Sequence, residues 1–280
     1  MKTMQTTKKI IVFIEKYCKY KVFFVLLHVL INHRRQINMT NIPILVIHVQ
    51  GNRERELFIR KQLEGLGMPF TFILEGNKES LTQEILDRYF ADNGKADTMY
   101  GRFPRTSCAY KHILAMEHIR DNNLDGALIV EDDLRIYPSF SSVFTQSMKE
   151  YEQHYSHLPF IANYEESSLM LVPRSMRKAG QTLYPAKRDR FAGCYYINRK
   201  AAETILDYIA TNKSDTTSDC LHNRMVQQGL IKYYWSHPCI ACQCSCDGSM
   251  PTMIPTKPRP LKRLKWYYKR LYKHLLYFLR

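Results

Sequence analysis

The feature that most constrains the fold is a short apolar run that ends in three consecutive acidic residues. Residues 127–130 read Ala-Leu-Ile-Val and are followed directly by Glu131, Asp132 and Asp133. A run of this length predicts a buried strand, and the three acids then lie where the strand leaves the sheet. Ligands of open α/β sheets bind in the crevice beyond the carboxyl ends of such strands.

Three carboxylates at a strand end suit a hard divalent cation. Oxygen ligands of this kind hold Mg²⁺ or Mn²⁺, and the cation can in turn hold phosphate groups. A solvated acidic loop is the alternative, because a Glu-Asp-Asp triplet alone is a short motif with many chance matches. The choice between the two depends on the rest of the sequence.

The positive charge of the chain lies at its two ends. The net charge is +15 over 280 residues. Residues 1–38 hold eight Lys and Arg against one acid, and residues 256–280 hold nine against none, which leaves the residues between them close to neutral. No recognisable nucleic-acid module accompanies this charge, so no nucleic-acid partner is expected.

Residues 261–280 have the pattern of a basic amphipathic helix. Apolar residues recur at spacings of three and four, and basic residues stand between them: Leu261, Leu264, Tyr268, Leu271, Leu275 and Phe278 against Lys262, Arg263, Lys265, Lys269, Arg270 and Lys273. With Trp266, this pattern is typical of a helix in an anionic membrane interface. A terminal helix packed on the domain, with a solvated basic face, is the alternative. The Pro-rich residues 251–260 predict a stiff spacer before it.

The basic and apolar extension at residues 1–38 has no settled interpretation. Residues 22–31 are apolar apart from His28 and are too few to span a bilayer. A signal peptide would end in small residues, but Asn-His-Arg-Arg follows at 32–35. A second interfacial anchor and a true start at Met39 in place of Met1 both remain open.

The eight cysteines predict reduced thiols, because no convincing secretory signal accompanies them. Four of them lie close together at Cys239, Cys242, Cys244 and Cys246, as in part of a zinc site. Structural zinc usually draws two ligand pairs from separated segments, and no second pair stands out. The preferred interpretation is therefore small apolar thiols at a strand end.

Strands and helices alternate from Pro43 onward, which predicts one α/β domain over residues 39–250 with a mostly parallel sheet. Strands are predicted at residues 44–49, 71–74, 127–130, 160–163, 169–172, 192–198 and 231–235. Helices are predicted at residues 52–64, 81–90, 106–120, after Pro138, 200–210 and 219–228. Thr106 or Ser107 and then Asp219 are the expected N-caps of two of these helices.

Several motifs follow one another in a specific order along residues 43–250. They are Arg55 at a helix start, Cys108 with Ala109 and His112, the Glu131-Asp132-Asp133 strand end, Gly193 with Tyr196, Asp219 at a helix start, and Gln243. This order and spacing resemble glycosyltransferase family 25, the bacterial lipooligosaccharide galactosyltransferase family. The chain departs from the family pattern at His48, Arg105, Ser107 and Lys111, which leaves the donor sugar open.

The resemblance implies a GT-A-like nucleotide-sugar transferase fold, with the basic amphipathic helix appended. The implied reaction moves a sugar, galactose from UDP-galactose in the usual case, to a lipid-linked oligosaccharide in lipopolysaccharide or lipooligosaccharide biosynthesis. Mn²⁺ or Mg²⁺, held by Glu131, Asp132 and Asp133, would stabilise the leaving diphosphate.

The resemblance also implies roles for single residues. Asp219 would be the general base that accepts the proton of the acceptor hydroxyl, or only a helix cap. Arg55, His112 and Tyr196 would lie on the donor side, although each has an ordinary structural alternative. No residue is indicated for binding the acceptor.

With the basic helix, the resemblance implies a cytoplasmic enzyme that is peripheral at the inner face of the bacterial inner membrane. There it would meet an anionic membrane surface and a lipid-linked glycan at raised effective concentration. One alternative is a non-catalytic protein that binds nucleic acid through its basic ends or zinc through its cysteine cluster. Another is an inactive family member, given the substitutions around Cys108.

Overall fold

The computed structural model describes residues 42–94, 97–254 and 261–279. The extension at residues 1–38 and most of the Pro-rich spacer lie outside the described residues, so the predictions made for them stay predictions. Cys18 belongs to the same undescribed part of the chain.

The described chain alternates strands and helices, which confirms the α/β class. In chain order the strands are β1 (Ile44–Ile47), β2 (Phe70–Ile73), β3 (Gly126–Glu131), β4 (Leu134–Ile136), β5 (Phe160–Asn163), β6 (Leu183–Pro185), β7 (Cys194–Asn198), β8 (Lys232–Ser236) and β9 (Ala241–Gln243). The helices are α1 (Arg53–Glu64), α2 (Gln83–Tyr89), α3 (Pro104–Asp121), α4 (Phe140–His154), α5 (Arg199–Asn212), α6 (Ser218–Gln227), α7 (Cys244–Asp247) and α8 (Lys262–Leu279).

Seven of these strands form one mixed sheet in the order β2-β1-β3-β7-β5-β8-β6. The half around β1 is parallel, because β1 pairs in parallel with both β2 and β3. In the middle of the sheet, β7 runs antiparallel to both β3 and β5. At the far end of the sheet, β8 pairs in parallel with β5 and antiparallel with β6, so parallel and antiparallel pairs are mixed in one sheet.

The strand that carries the acidic triplet lies in the middle of the core. Residues 127–130 of β3 have no exposed surface. Ile129 on this strand belongs to one apolar cluster with Ile113 of α3, Ile205 of α5 and Tyr195 of β7. Helices α3 and α5 pack against each other over this face of the sheet. The end of β3, where the acids begin, is therefore held rigidly.

Helix α1 begins and ends within one residue of its predicted bounds, whereas the predicted N-caps of α3 and α6 are wrong. The Asn52 side chain accepts from the backbone N–H of Arg55, as expected of an N-cap. Helix α3 begins two residues early, at Pro104, because proline suits a first helical turn. Thr217 precedes α6, which puts Asp219 inside the first turn rather than at the cap.

Two further differences concern strands. Residues 169–172 were expected to form a strand but are irregular, and Leu169 has a φ of +56°, which a strand does not allow. The short strands β4, β6 and β9 were not predicted, because three residues carry too little pattern. Strands β4 and β9 pair antiparallel, with Leu134 opposite Gln243, and so bring the segment after β9 beside the acidic triplet.

The C-terminal helix forms as predicted, over Lys262–Leu279. It is docked on the domain by a mixed aromatic and basic face: the indole N–H of Trp266 points to the backbone oxygen of Ser167, and Arg270 and His274 both contact Glu166. Its main apolar row faces solvent instead. No helix within the described ranges has the length and the apolar composition needed to cross a membrane.

Candidate active site

A cavity of about 550 Å³ lies beyond the carboxyl ends of β1 and β3. This is the edge of the sheet at which the sequence predicted a ligand site, and the volume is in the usual range for small-molecule pockets. Helix α1, the first half of α3, the start of α6 and the segment after β9 complete its walls. Among the lining residues are Arg55, Cys108, His112, Glu131, Asp132, Asp133, Asp219 and Gln243.

Within the acidic triplet, Asp132 is fully engaged with two basic side chains. Its Oδ1 atom accepts from Arg55 at 2.8 Å, and its Oδ2 atom lies 2.8 Å from Nδ1 of His48. All three residues are buried. Asp132 is thus placed to hold Arg55 rather than a metal ion, which narrows the predicted ligand set. It also gives His48, a departure from the family pattern, a defined contact.

Asp133 is buried with one oxygen bonded and one without a partner. Its Oδ2 atom accepts from the backbone N–H of Ser245 at 3.0 Å, whereas its Oδ1 atom has no hydrogen-bond partner. Burial, together with the charge of Glu131, raises the pKa of Asp133 to about 6, although Arg55 acts in the opposite direction. A buried carboxylate oxygen without a partner is costly unless a ligand satisfies it.

Glu131 lies at the centre of the site and is the most exposed of the three acids. Its Oε2 atom accepts from the Gln243 side chain at 2.7 Å. Its Oε1 atom lies 3.5 Å from Nε2 of His112 and 3.9 Å from Sγ of Cys108. These three ligand atoms lie within 4.8 Å of one another, and no other such group occurs among the described residues.

The spacing of this trio is close to that of a metal site. Ligand atoms around a tetrahedral ion, at about 2.0–2.3 Å from it, lie about 3.3–3.7 Å apart. Cys108 and His112 stand one helical turn apart on α3, which puts both on the face turned to Glu131. The Nε2 atom of His112 is buried and has no hydrogen-bond partner. A donor set that includes imidazole and thiol favours Mn²⁺ or a softer ion over Mg²⁺.

Tyr195, and not the predicted Tyr196, contacts a residue that lines the cavity, although neither tyrosine lines the cavity itself. The hydroxyl of Tyr195 lies 3.0 Å from Nδ1 of His112, so it fixes the orientation of that ring. Neighbouring residues of a strand point to opposite faces of the sheet. Tyr196 therefore points away and packs in the core against Tyr151 of α4. Its predicted place beside the sugar is corrected for this reason.

Asp219 lines the cavity from the first turn of α6. Its Oδ1 atom accepts from the Thr217 hydroxyl at 2.5 Å. The side chain is partly exposed, so solvent or a ligand can reach the other oxygen. The position is compatible with the predicted role as a base.

Lys111, one of the departures from the family pattern, lines the cavity and is buried. Its ammonium donates to the backbone oxygens of Leu74 at 2.8 Å and Glu75 at 2.6 Å, just beyond β2. Burial lowers the pKa of Lys111 to about 8. Lys111 ties the loop after β2 to α3 and so shapes one wall of the site.

Gly193 and Glu165 lie next to Gln243 and help to position it. Their packing explains why glycine occurs at position 193 of the predicted motif. The Gly193 N–H donates to Glu165 at 2.9 Å. A Cβ atom on Gly193 would lie 2.6 Å from Cδ of Gln243 and 2.9 Å from the Glu165 carboxylate. Only glycine leaves room for Gln243 to reach Glu131. Glu165 is fully buried, and this burial raises its pKa well above the ordinary value; no sequence signal indicated it.

The described cysteines near the C-terminal end of the domain do not gather into a zinc site. Cys239, Cys242, Cys244 and Cys246 are free thiols, and none of them belongs to a three-ligand group. The thiol of Cys242 contacts Ser167, and that of Cys239 contacts Arg190. Cys242 and Cys244 are buried, as the interpretation of small apolar thiols at a strand end expects, whereas Cys239 and Cys246 are partly exposed.

The sequence of residues 41–222 matches the family model of glycosyltransferase family 25, described as an LPS biosynthesis protein. This stretch covers more than half of the chain and includes α1, the whole acidic triplet and Asp219. The chain belongs to glycosyltransferase family 25. It is accordingly a glycosyltransferase. Of the residues by which it resembled this family, all but Gly193 and Tyr196 line the cavity.

Comparison with curated protein sequences finds no match. Among solved structures, the chain is similar to a glycosyltransferase involved in the glycosylation of the major capsid of PBCV-1, with 7% identity and a TM-score of 0.41 over 84% of this chain and 98% of that one. It is also similar to mannose-1-phosphate geranyltransferase from Thermus thermophilus, with 10% identity and a TM-score of 0.23 over 85% and 67%. The family assignment comes from the sequence match.

Proposed function

We propose that this family 25 glycosyltransferase moves galactose from UDP-galactose to a hydroxyl of a lipid-linked glycan in lipopolysaccharide or lipooligosaccharide biosynthesis. One observation supports the proposal above all. The predicted residues Glu131, Asp133, Asp219 and His112 converge on a single cavity, although they come from three different elements of the fold. Its volume of about 550 Å³ suits a nucleotide sugar.

In the proposed reaction, Asp219 accepts the proton of the acceptor hydroxyl. A carboxylate within hydrogen-bond reach is an adequate base for this step, because it has only to remove the proton as the new bond to the sugar forms. The Thr217 hydroxyl donates to one Asp219 oxygen and orients the carboxylate. The other oxygen is left to face the acceptor.

The leaving group is a nucleoside diphosphate, whose negative charge grows as the bond to the sugar breaks. Arg55 is the cation of α1 that lines the cavity, and Asp132 holds it in place. Its other NH group donates to the backbone oxygen of Pro251 at 2.6 Å. Arg55 thereby joins the acidic triplet to the segment that closes the cavity, and it offers positive charge near the diphosphate.

The site fits a divalent cation, the predicted Mn²⁺ or Mg²⁺, but with a ligand set that differs from the predicted Glu131, Asp132 and Asp133. Glu131, His112 and Cys108 form one candidate ligand group. The unpartnered Oδ1 atom of Asp133 belongs to a residue that lines the same cavity, so Asp133 can share a cation with Glu131. A bound cation supplies Lewis-acid stabilisation of the departing diphosphate. Tyr195 holds His112 so that its free nitrogen faces Glu131.

The proposal is tested by incubating the full chain with a panel of nucleotide sugars and Mn²⁺ or Mg²⁺, and by measuring nucleoside diphosphate release and thermal stabilisation. A donor that binds only the native state raises the melting temperature. We expect UDP-galactose to do so, and Asp133→Ala to abolish transfer while the fold is kept. Asp207→Asn, on the exposed side of α5, is the matched control. Full activity of Asp133→Ala, or stabilisation by no sugar nucleotide, overturns the proposal.

A further inference from the structure

Helix α8 presents a continuous row of large apolar side chains to solvent. The row consists of residues at spacings of four and three along the helix, and each is between 58% and 76% exposed: Leu264, Tyr268, Leu271, Leu275 and Leu279. Tyr272 and Phe278 beside it are also more than half exposed. Such a contiguous apolar patch on a soluble surface marks an interaction site.

The row is outward because the opposite face of the helix is already bound to the domain. Glu166 is the anchor: it is almost fully buried, accepts from Arg270 at 2.9 Å and also contacts His274. At the end of the helix, the guanidinium of Arg174 lies 4.4 Å from the ring centre of Phe278. The helix cannot turn its apolar row inward without breaking these contacts.

The charges that flank the row are of one sign. Between residues 261 and 279 the helix carries six Lys and Arg and no acidic residue. Arg270 is paired with Glu166, but Arg263, Lys265 and Lys269 lie on the exposed surface. Whatever covers the apolar row must therefore be apolar in its interior and negatively charged at its surface.

We propose that the outward row of α8 docks the enzyme on an anionic lipid bilayer, with α8 in the plane of the interface. A row one helix wide inserts its apolar side chains among lipid chains while the flanking cations meet lipid phosphates. The tyrosines suit the interface, where an aromatic ring is apolar and its hydroxyl stays wet. A nucleic acid would use the cations but not the apolar row.

The docked helix begins beside the proposed active site. Lys262 donates to the backbone oxygen of Ser245, whose own N–H donates to Asp133. Met253 and Ile254, which are both exposed, line the same cavity. Membrane docking through α8 thus puts the cavity near the lipid surface. The docking itself does not depend on the proposed function. The placement of the cavity near its acceptor does, because that acceptor is proposed to be a lipid-linked glycan.

The test uses the full chain and two kinds of vesicles, phosphatidylcholine alone and phosphatidylcholine with a quarter phosphatidylglycerol, in a sedimentation assay. We expect binding to the anionic vesicles that weakens at high salt. The double variant Leu271→Gln with Leu275→Gln should lose at least about tenfold in partitioning. Leu57→Gln, which changes a leucine of α1 with 54% exposure, should bind as well as the native chain.

Each contrary result points to a different cause. Equal binding to neutral vesicles, or undiminished binding of the double variant, overturns the proposal. Dimers in size-exclusion chromatography that the double variant converts to monomers would assign the row to a second copy of the chain instead. Donor hydrolysis in solution separates this proposal from the proposed function: it should be unchanged in the double variant, and vesicle binding should persist in Asp133→Ala.

Discussion

The guanidinium of Arg55 lies 2.8 Å from Oδ1 of Asp132, and both side chains are at least nine-tenths buried. A second nitrogen of the same guanidinium lies 3.7 Å from Asp133. One cation from α1 thus neutralises part of a cluster of three acids at the end of β3. This relationship lets three carboxylates share a small volume, and it defines which of them remain free for a ligand.

Removing Arg55 is expected to destabilise the fold strongly. In Arg55→Ala, Asp132 and Asp133 lose their common cation inside the protein, and breaking a buried pair on one side costs about 3–5 kcal/mol. Urea unfolding of the native chain and the variant measures this loss. Arg120→Ala is the control, because Arg120 pairs with Asp121 at the surface and such pairs contribute less than about 1 kcal/mol. Equal losses in the two variants would contradict the buried role of Arg55.

Gly193→Ala is expected to impair the site although it replaces no charged or polar residue. The new methyl group would lie 2.6 Å from Cδ of Gln243, so Gln243 must move away from Glu131. Overpacking of this kind costs about 1–3 kcal/mol, and transfer activity should fall with it. Gly65→Ala is the matched control, since its methyl group meets nothing closer than 3.4 Å and its φ is −68°. Normal activity of Gly193→Ala would show that Gln243 is not needed at Glu131.

The fold could be predicted where the sequence carries long patterns. The strand before Glu131, the helix capped by Asn52 and the C-terminal helix all follow from apolar runs or periodic spacing. The direction of β7 could not be predicted, because strand direction depends on how distant segments pair. Strands β4 and β9 were not predicted for a related reason: a three-residue strand is stabilised by its tertiary partners rather than by its own sequence pattern.

The site could be predicted only as far as single residues belong to a motif. The three acids, His112 and Asp219 were predicted in this way as candidate site residues, and all of them line the cavity. Which acid is free could not be known, since it depends on Arg55 and His48 reaching Asp132 from other elements. Tyr196 was predicted at the site in place of Tyr195 for a similar reason. A strand puts adjacent residues on opposite faces, and the sequence did not indicate which face meets α3.

Asp219→Asn tests the proposed base. The substitution keeps the size of the side chain but removes its ability to take a proton, so kcat should fall by about 10²–10⁴ while the KM for the donor changes little. Steady-state transfer assays at saturating acceptor measure both quantities. If Asp219 only stabilises the first turn of α6, the variant will lose stability and keep its kcat, which is the outcome that contradicts the proposed role.

Metal binding tests whether Glu131 shares a cation with His112 and Cys108 or only with the carboxylate of Asp133. If His112 and Cys108 complete the site, Mn²⁺ should raise the melting temperature of the native chain more than Mg²⁺ does, and Cys108→Ser should reduce this preference. Thermal unfolding with each ion measures the effect without any substrate. Cys220→Ser, which changes an exposed free thiol, is the control. An unchanged preference in Cys108→Ser would exclude the Cys108 thiol from the ligand set.

Because Glu166 holds α8 on the domain through its charge, we expect the stability of the protein to depend on pH. Burial alone would raise the pKa of Glu166, but hydrogen bonds from His274, Arg270 and Tyr137 outweigh it and lower the pKa to about 2. A carboxyl group whose pKa is lower in the folded state than its ordinary 4.5 stabilises the fold fully above that ordinary value. Its contribution is lost as the pH falls from about 4.5 towards about 2.

Glu166→Gln should therefore remove one part of the acid sensitivity. At pH 7 the variant is expected to be less stable than the native chain, by on the order of 2 kcal/mol. The difference should shrink as the pH falls from 5 to 2, because the native Glu166 becomes protonated over this interval. Urea unfolding at a series of pH values measures the difference, and fluorescence of Trp266 on α8 reports whether the helix leaves the domain in the same interval. A difference that stays constant with pH would show that Glu166 does not hold α8 through its charge.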